Sequence, residues 1–149
     1  MNIFCSQKRL VVMNAISFII MLTINMLANA LPINGITTGE VSAAYENLFT
    51  PAGFTFGIWG LIYLLLLVQL IAMFIKVSKD QASAIVSKLG RTLPFIHLTN
   101  SAWLVAWHFQ LIGLSWGLIV LLLVLLTVAY RQLMNLGSSR FNYLFGKLP

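Results

Sequence analysis

Charge is placed along this chain so that few folds remain open to it. Nine Lys and Arg and three acidic residues, among 149, bound three uncharged runs at 10–39, 47–75 and 92–130. A helix needs ~20 apolar residues to cross a bilayer core. The first two runs therefore hold one span each, at about 10–31 and 54–75. The third run has 39 residues; as one helix it would reach about 58 Å, against a hydrocarbon core of ~30 Å. It must fold back. Gly113, Ser115 and Gly117 near its middle predict a tight turn there, between spans at about 92–112 and 116–136. Composition points the same way, with 60% hydrophobic and 8% charged residues where soluble chains carry roughly 25% charge. The expected fold class is all-α: a polytopic transmembrane helical bundle of four spans, one membrane domain over 1–149, with the lipid bilayer as its partner.

Orientation follows from the cations, because short loops rich in Lys and Arg stay cytoplasmic. Lys8 and Arg9 precede the first span, Lys76, Lys79, Lys88 and Arg91 lie between the second and third, and Arg131, Arg140 and Lys147 follow or close the fourth. The loop 32–53 carries only Glu40 and Glu46. Both termini are thus expected in the cytoplasm and the loop 32–53 outside, in a multi-pass protein that in a prokaryote would sit in the cell membrane. Ala28-Asn29-Ala30 resembles a signal-peptide cleavage site, but the 18 apolar residues from Leu10 to Leu27 exceed an h-region of about 7–15. The segment reads as a retained span.

Polar groups in lipid are costly unless they face protein or water, so those inside the spans are informative. At about 100° per residue, Asn14, Ser17, Asn25 and Asn29 form one inward stripe, fit either for interhelical hydrogen bonds or for ligand contact. The second span sets Phe56, Trp59, Tyr63 and Gln69 on one face and Gly53, Gly57 and Gly60 on another, where the glycines predict close helix packing. In the third span His97, Asn100, Trp103, Trp107, His108 and Gln110 share an inward arc, and Phe95, Leu98, Ala102, Val105, Phe109 and Ile112 face lipid. The fourth span is almost free of polar groups. Its Leu-rich stretch 118–126 reads as lipid-facing, which places any pocket among the first three spans.

Several chemistries fail against this inventory. No carboxylate lies within a span, so general acid and base pairs and carboxylate-coupled proton relays lack their groups. His97 and His108 are eleven residues apart, about 16 Å along a helix and too far to share a metal. The single Cys5 excludes an internal disulfide and any multi-cysteine metal site, and a net charge of +6 spread over the whole chain forms no nucleic-acid groove. An enzyme is not expected. In the outer loop, Thr37-x-x-Glu40 is a possible capping box, and Val41, Ala44, Tyr45 and Leu48 follow at amphipathic spacing. A short helix there, between turns at 32–35 and 51–53, would lie on the membrane surface or act as a lid.

The segment Pro51-Ala52-Gly53-Phe54-Thr55-Phe56-Gly57-Ile58-Trp59-Gly60-Leu61-Ile62-Tyr63 resembles the loop-to-second-helix motif of the TspO/translocator family, the tryptophan-rich sensory proteins. Asn100-Ser101-Ala102-Trp103 is similar to that family's third-helix Asn-x-x-Trp motif. The likeness runs from about Leu31 to the C-terminus. It departs in lacking a double proline before the second span, in the spacing of Phe56-Gly57 to Trp59, and in ending where the family's fifth span would begin, so that the chain reads as lacking that helix. The resemblance implies a tetrapyrrole, sterol or drug-like apolar ligand beneath the first loop, and a homodimer. Carried over by motif, Trp59, Tyr63, Asn100 and Trp103 line or support that pocket; helical phase adds Tyr45 and Trp107. No cation lies on the loop side to pair with a porphyrin carboxylate. The expected function is a sensor or regulator that binds a porphyrin-like apolar molecule. A small transporter or permease component and a structural membrane subunit stand as alternatives.

Overall fold

The computed structural model describes residues 3–30, 33–45, 52–79 and 84–145. Four long helices carry the fold: α1 (Ile3–Ala30), α3 (Ile58–Ser78), α4 (Ala84–His108) and α5 (Ile112–Phe145), with the short α2 (Thr38–Ala43) in the first loop. Single 3-10 turns at Ile33–Gly35 and Gly53–Gly57 flank that loop. In an apolar solvent a backbone must satisfy its own N–H and C=O groups, and uncharged runs of Leu, Ile and Val do so as helices. Three segments, Cys5–Gly35, Ile58–Ser78 and Ile112–Leu136, are long and apolar enough to cross a membrane. The 25 residues of α4 are long enough as well, at about 37 Å, but this helix is more polar, and it turns its polar groups inward.

The central helix is α4, packed on one side by α1 and on the other by α5, while α3 leans on α1. Its two faces separate as expected: His97, Asn100 and His108 are buried, and Phe95, Leu98, Val105 and Phe109 are exposed. A seam of hydrogen bonds joins it to α1. Gln7 Nε2 donates to Ser87 Oγ at 2.8 Å, Asn14 Nδ2 to the Gly90 carbonyl at 2.8 Å, and Asn25 Nδ2 to Asn100 Oδ1 at 3.1 Å. Ser17 Oγ lies 2.9 Å from His97 Nδ1, and the Phe18 ring meets that imidazole edge-on.

One rung of the seam repairs a local defect. Pro94 lies inside α4 and has no N–H, so the carbonyl four residues earlier, that of Gly90, loses its helical donor. Asn14 supplies the missing donor from the neighbouring helix. Gly90 makes this approach possible, since a Cβ there would stand 3.3 Å from Leu10 Cβ and 3.6 Å from Asn14 Nδ2. Below this rung Val11, Met73, Val77, Val86 and Leu89 close the core from three helices.

The reversal between α4 and α5 differs from the sequence expectation. It occupies 109–111, and Gly113 and Gly117, expected in the turn, lie in the first turns of α5. The Leu111 N–H bonds the Ala106 carbonyl and the Gln110 N–H the Trp107 carbonyl, with Gln110 at φ 55°. This is a Schellman closure with a left-handed residue at its end, a position usually held by glycine. Here glutamine holds it, which is why a glycine-based reading put the turn a few residues late. Gln110 consequently leaves the inward arc and is exposed.

Two other expectations are corrected. The 118–126 stretch of α5 does not face lipid alone, because Leu122 is buried against α4 in the core. Gly57 and Gly60 pack no helix, since a Cβ at either would meet nothing within 4 Å. The capping box at Thr37 does form, with the Glu40 carboxylate accepting the Thr37 N–H at 2.6 Å and the Thr37 hydroxyl accepting the Glu40 N–H at 3.3 Å. The helix it starts ends at Ala43, and Glu46, Leu48, Pro32 and Pro51 lie outside the described residues, as do the side chains of Asn29 and Phe56.

Candidate functional site

The 3-10 turn Gly53–Gly57 feeds directly into α3, so Trp59 and Tyr63, four residues apart, share one face in its first turns. Their rings stack at 6.1 Å with planes 26° apart. Trp103 and Trp107 repeat this arrangement on α4, at 6.4 Å and 25°. The two pairs meet where Trp59 lies 5.6 Å from Trp103. Four aromatic rings, Tyr63, Trp59, Trp103 and Trp107, thus form a continuous rail across two helices.

A cavity of about 440 Å³ lies beside this rail, lined by Trp59, Tyr63 and Trp103. Leu22, Asn25 and Met26 of α1 form its opposite wall and Thr38 of α2 contributes from the loop. Gly57 and Gly60 also line it, so the absence of their side chains enlarges the cavity rather than admitting a neighbouring helix.

Asn25 is the polar hub. Its Nδ2 donates to the Met21 carbonyl at 2.8 Å and to Asn100 Oδ1, and its Oδ1 accepts from the Tyr63 hydroxyl. Three helices are thereby tied at one side chain. Asn100 is buried behind Asn25 and lines a second cavity rather than the first. Helical phase puts Asn25 on an inward stripe without assigning it to the site. Its role depends on which residues of α3 and α4 stand opposite, and helical phase alone does not supply that.

The loop is pinned over the end of α4. Asn34 Nδ2 donates to the His108 carbonyl at 3.2 Å, and Trp107 Nε1 to the Thr38 carbonyl at 3.4 Å. His108 Nδ1 donates to the Leu104 carbonyl at 2.8 Å, and its Nε2 lies 3.4 Å from the Thr38 hydroxyl. Val41 is fully buried beneath α2. Trp107 therefore stands at the end of the aromatic rail and under the loop rather than in the cavity wall. Tyr45 is 41% exposed and lies outside the lining of the described cavities.

The cavity lining is aromatic on α3 and α4 and largely aliphatic on α1, with the Asn25 amide and the Tyr63 and Thr38 hydroxyls among it. Among the described residues no cluster of three or more His, Cys, Asp or Glu is placed to hold a metal ion.

A family model described as TSPO-like protein matches residues 11–149, nearly the whole chain. Comparison with curated proteins and with solved structures returned no match.

Proposed function

The chain belongs to the TSPO-like family, and from that membership we propose an integral membrane sensor or regulator that binds a tetrapyrrole or similar flat apolar ligand. In this reading α1, α3, α4 and α5 each span the bilayer, both termini are cytoplasmic, and α2 lies over the outer end of the bundle. One observation carries it: the cavity of about 440 Å³ in which Trp59 and Trp103 present their rings beside Asn25 and Tyr63. The bound molecule stacks on the aromatic rail and takes its orientation from the amide hub. The loop side has no cation, so a porphyrin's carboxylates would find no ion-pair partner there; the uncharged dimethyl ester of protoporphyrin IX should bind no more weakly than the free acid.

Tryptophan fluorescence of the detergent-solubilised full chain tests the reading. Protoporphyrin IX should quench it saturably. Trp103→Phe and Asn100→Ala should each weaken binding by about 1–2 kcal/mol, roughly five- to thirty-fold. Phe109→Leu, on the lipid face, should leave it unchanged. Porphyrins also enter micelles, so saturation and the rank order of variants are the readout. Quenching that never saturates and is equal in all variants would refute the site and favour a structural subunit.

A further inference from the structure

Asn25, Thr38 and Tyr63 bring amide and hydroxyl groups to the lining of the aromatic cavity, and one backbone group fixes the direction in which Asn25 and Tyr63 bond. The Met21 carbonyl can only accept, so the Asn25 atom 2.8 Å from it is the amide nitrogen. That nitrogen gives its second proton to Asn100 Oδ1 at 3.1 Å. The Asn25 oxygen therefore faces Tyr63, and since an amide oxygen only accepts, the phenol donates to it. The two bonds that cross between helices thus run the same way, from α3 to α1 and from α1 to α4. A tyrosine hydroxyl has a single proton. With that proton held by Asn25, the Tyr63 oxygen has only lone pairs to offer a further group.

The rest of the described lining supplies few rival donors. Thr38 is buried, with its hydroxyl 3.4 Å from His108 Nε2 and its carbonyl taken by Trp107 Nε1. Trp59 and Trp103 carry indole N–H groups, but an indole N–H lies in the plane of its ring, and a molecule stacked on the face of that ring stands out of its reach. No Lys or Arg is among the described residues of the lining.

We infer that Tyr63 determines specificity at this site: its oxygen accepts a hydrogen bond from the ligand, so the site takes flat apolar molecules with an O–H or N–H at their edge over those carrying only ethers, esters or carboxylates. The inference rests on the ligand-binding reading above and narrows its ligand by chemistry. A carboxylate is disfavoured twice, because it finds no cation and because it meets the lone pairs of Tyr63. An ester is disfavoured once. Asn25 is the positioning residue, since it holds the phenol proton and so sets which partner Tyr63 can take.

The test compares 1-hydroxypyrene with 1-methoxypyrene, two probes on one flat ring system, both uncharged at neutral pH, of which only the first donates a hydrogen bond. The detergent-solubilised full chain is titrated with each, and energy transfer from tryptophan reports binding. The readout is the ratio of the two Kd values, referred to the ratio in which the probes partition into empty micelles. In the unaltered protein 1-hydroxypyrene should be favoured about three- to ten-fold. Asn25→Leu frees the Tyr63 proton, so 1-methoxypyrene should gain and the preference should shrink by about three-fold or more. Asn25→Leu combined with Tyr63→Phe removes both oxygens and should bring the ratio to that of empty micelles. Phe109→Leu, exposed on α4, should keep the full preference. Saturable binding of both probes to the unaltered protein at the empty-micelle ratio would overturn the assignment while leaving the site intact, with no variant needed. A preference that survives unchanged in both Asn25 variants would overturn it as well. Absence of saturable binding of either probe to the unaltered protein would instead refute the ligand-binding reading.

Discussion

Asn14 is expected to matter to stability through the defect that Pro94 creates, and this can be isolated. Asn14 Nδ2 makes two bonds, to the Leu10 carbonyl of its own helix at 2.7 Å and to the Gly90 carbonyl of α4 at 2.8 Å. Replacement by leucine keeps the volume and removes both. A buried carbonyl left without a donor costs about 1–3 kcal/mol, and interhelical bonds in membranes average about 0.6 and reach about 1.7 kcal/mol. Removal of the Asn14 Oδ1, which is buried without a hydrogen-bond partner, returns part of that. Asn14→Leu should therefore cost about 1–2 kcal/mol. Pro94→Ala restores the N–H that Gly90 lacks, and in that background the same substitution should cost less than about 0.5 kcal/mol. The Leu10 bond is lost in both backgrounds and cancels, so the coupling of about 1 kcal/mol reports the Gly90 carbonyl alone. Reversible unfolding in mixed micelles, followed by far-UV circular dichroism as the fraction of SDS rises, gives the four free energies. Equal costs in the two backgrounds, within the ~0.3–0.5 kcal/mol expected of independent sites, would refute the repair.

Gln110 holds a left-handed conformation at φ 55°, so Gln110→Gly should stabilise the α4–α5 turn by about 1 kcal/mol, read by the same unfolding assay. The Glu40 carboxyl is held below its ordinary value of 4.5, first by the Thr37 N–H and then by the Thr37 hydroxyl; its contribution to α2 is full above that value and is lost as pH falls through the lowered pKa. Protection of the α2 amides from exchange should fall in that acid window, and Glu40→Gln should abolish the pH dependence. For topology, Gly39→Cys and Lys79→Cys should label from opposite faces of the membrane in a Cys5→Ser background, and labelling from one face would refute the proposed arrangement.

The long helices and the orientation of α4 are legible in the sequence because they follow from charge placement and from a period of 3.6, both local properties. The capping box is legible for the same reason, since Thr37 and Glu40 satisfy one another within a single turn. What depends on neighbours is not. The glycines of α3 are spaced for packing, but whether a helix approaches depends on where α1 and α5 stand, and at Gly57 and Gly60 none does. Leu122 and Ala129 look like any other lipid-facing residues until α4 is placed beside them. The α4–α5 turn was displaced because its left-handed position carries glutamine, and sequence signals for that conformation rest on glycine and asparagine.

The seam between α1 and α4 bears on which alternative to the proposed function is harder to sustain. From Gln7 to Asn25 it runs eighteen residues, about 27 Å, so paired polar groups do occur through most of a bilayer's depth, as a transport path requires. Yet Asn14, Ser17, His97 and Asn100 are each no more than 5% exposed, and their bonds run to the facing helix or back to their own backbone. That is a buried lock on helix register. The seam meets the aromatic cavity at Asn25, through the same amide that holds Asn100 of α4 and Tyr63 of α3. A ligand that competes for that amide acts at once on the α1–α4 register and on the hold of α3, the least buried of the long helices. In the proposed reading, binding would be coupled to helix packing at one residue, which a purely structural subunit would not need and a sensor would.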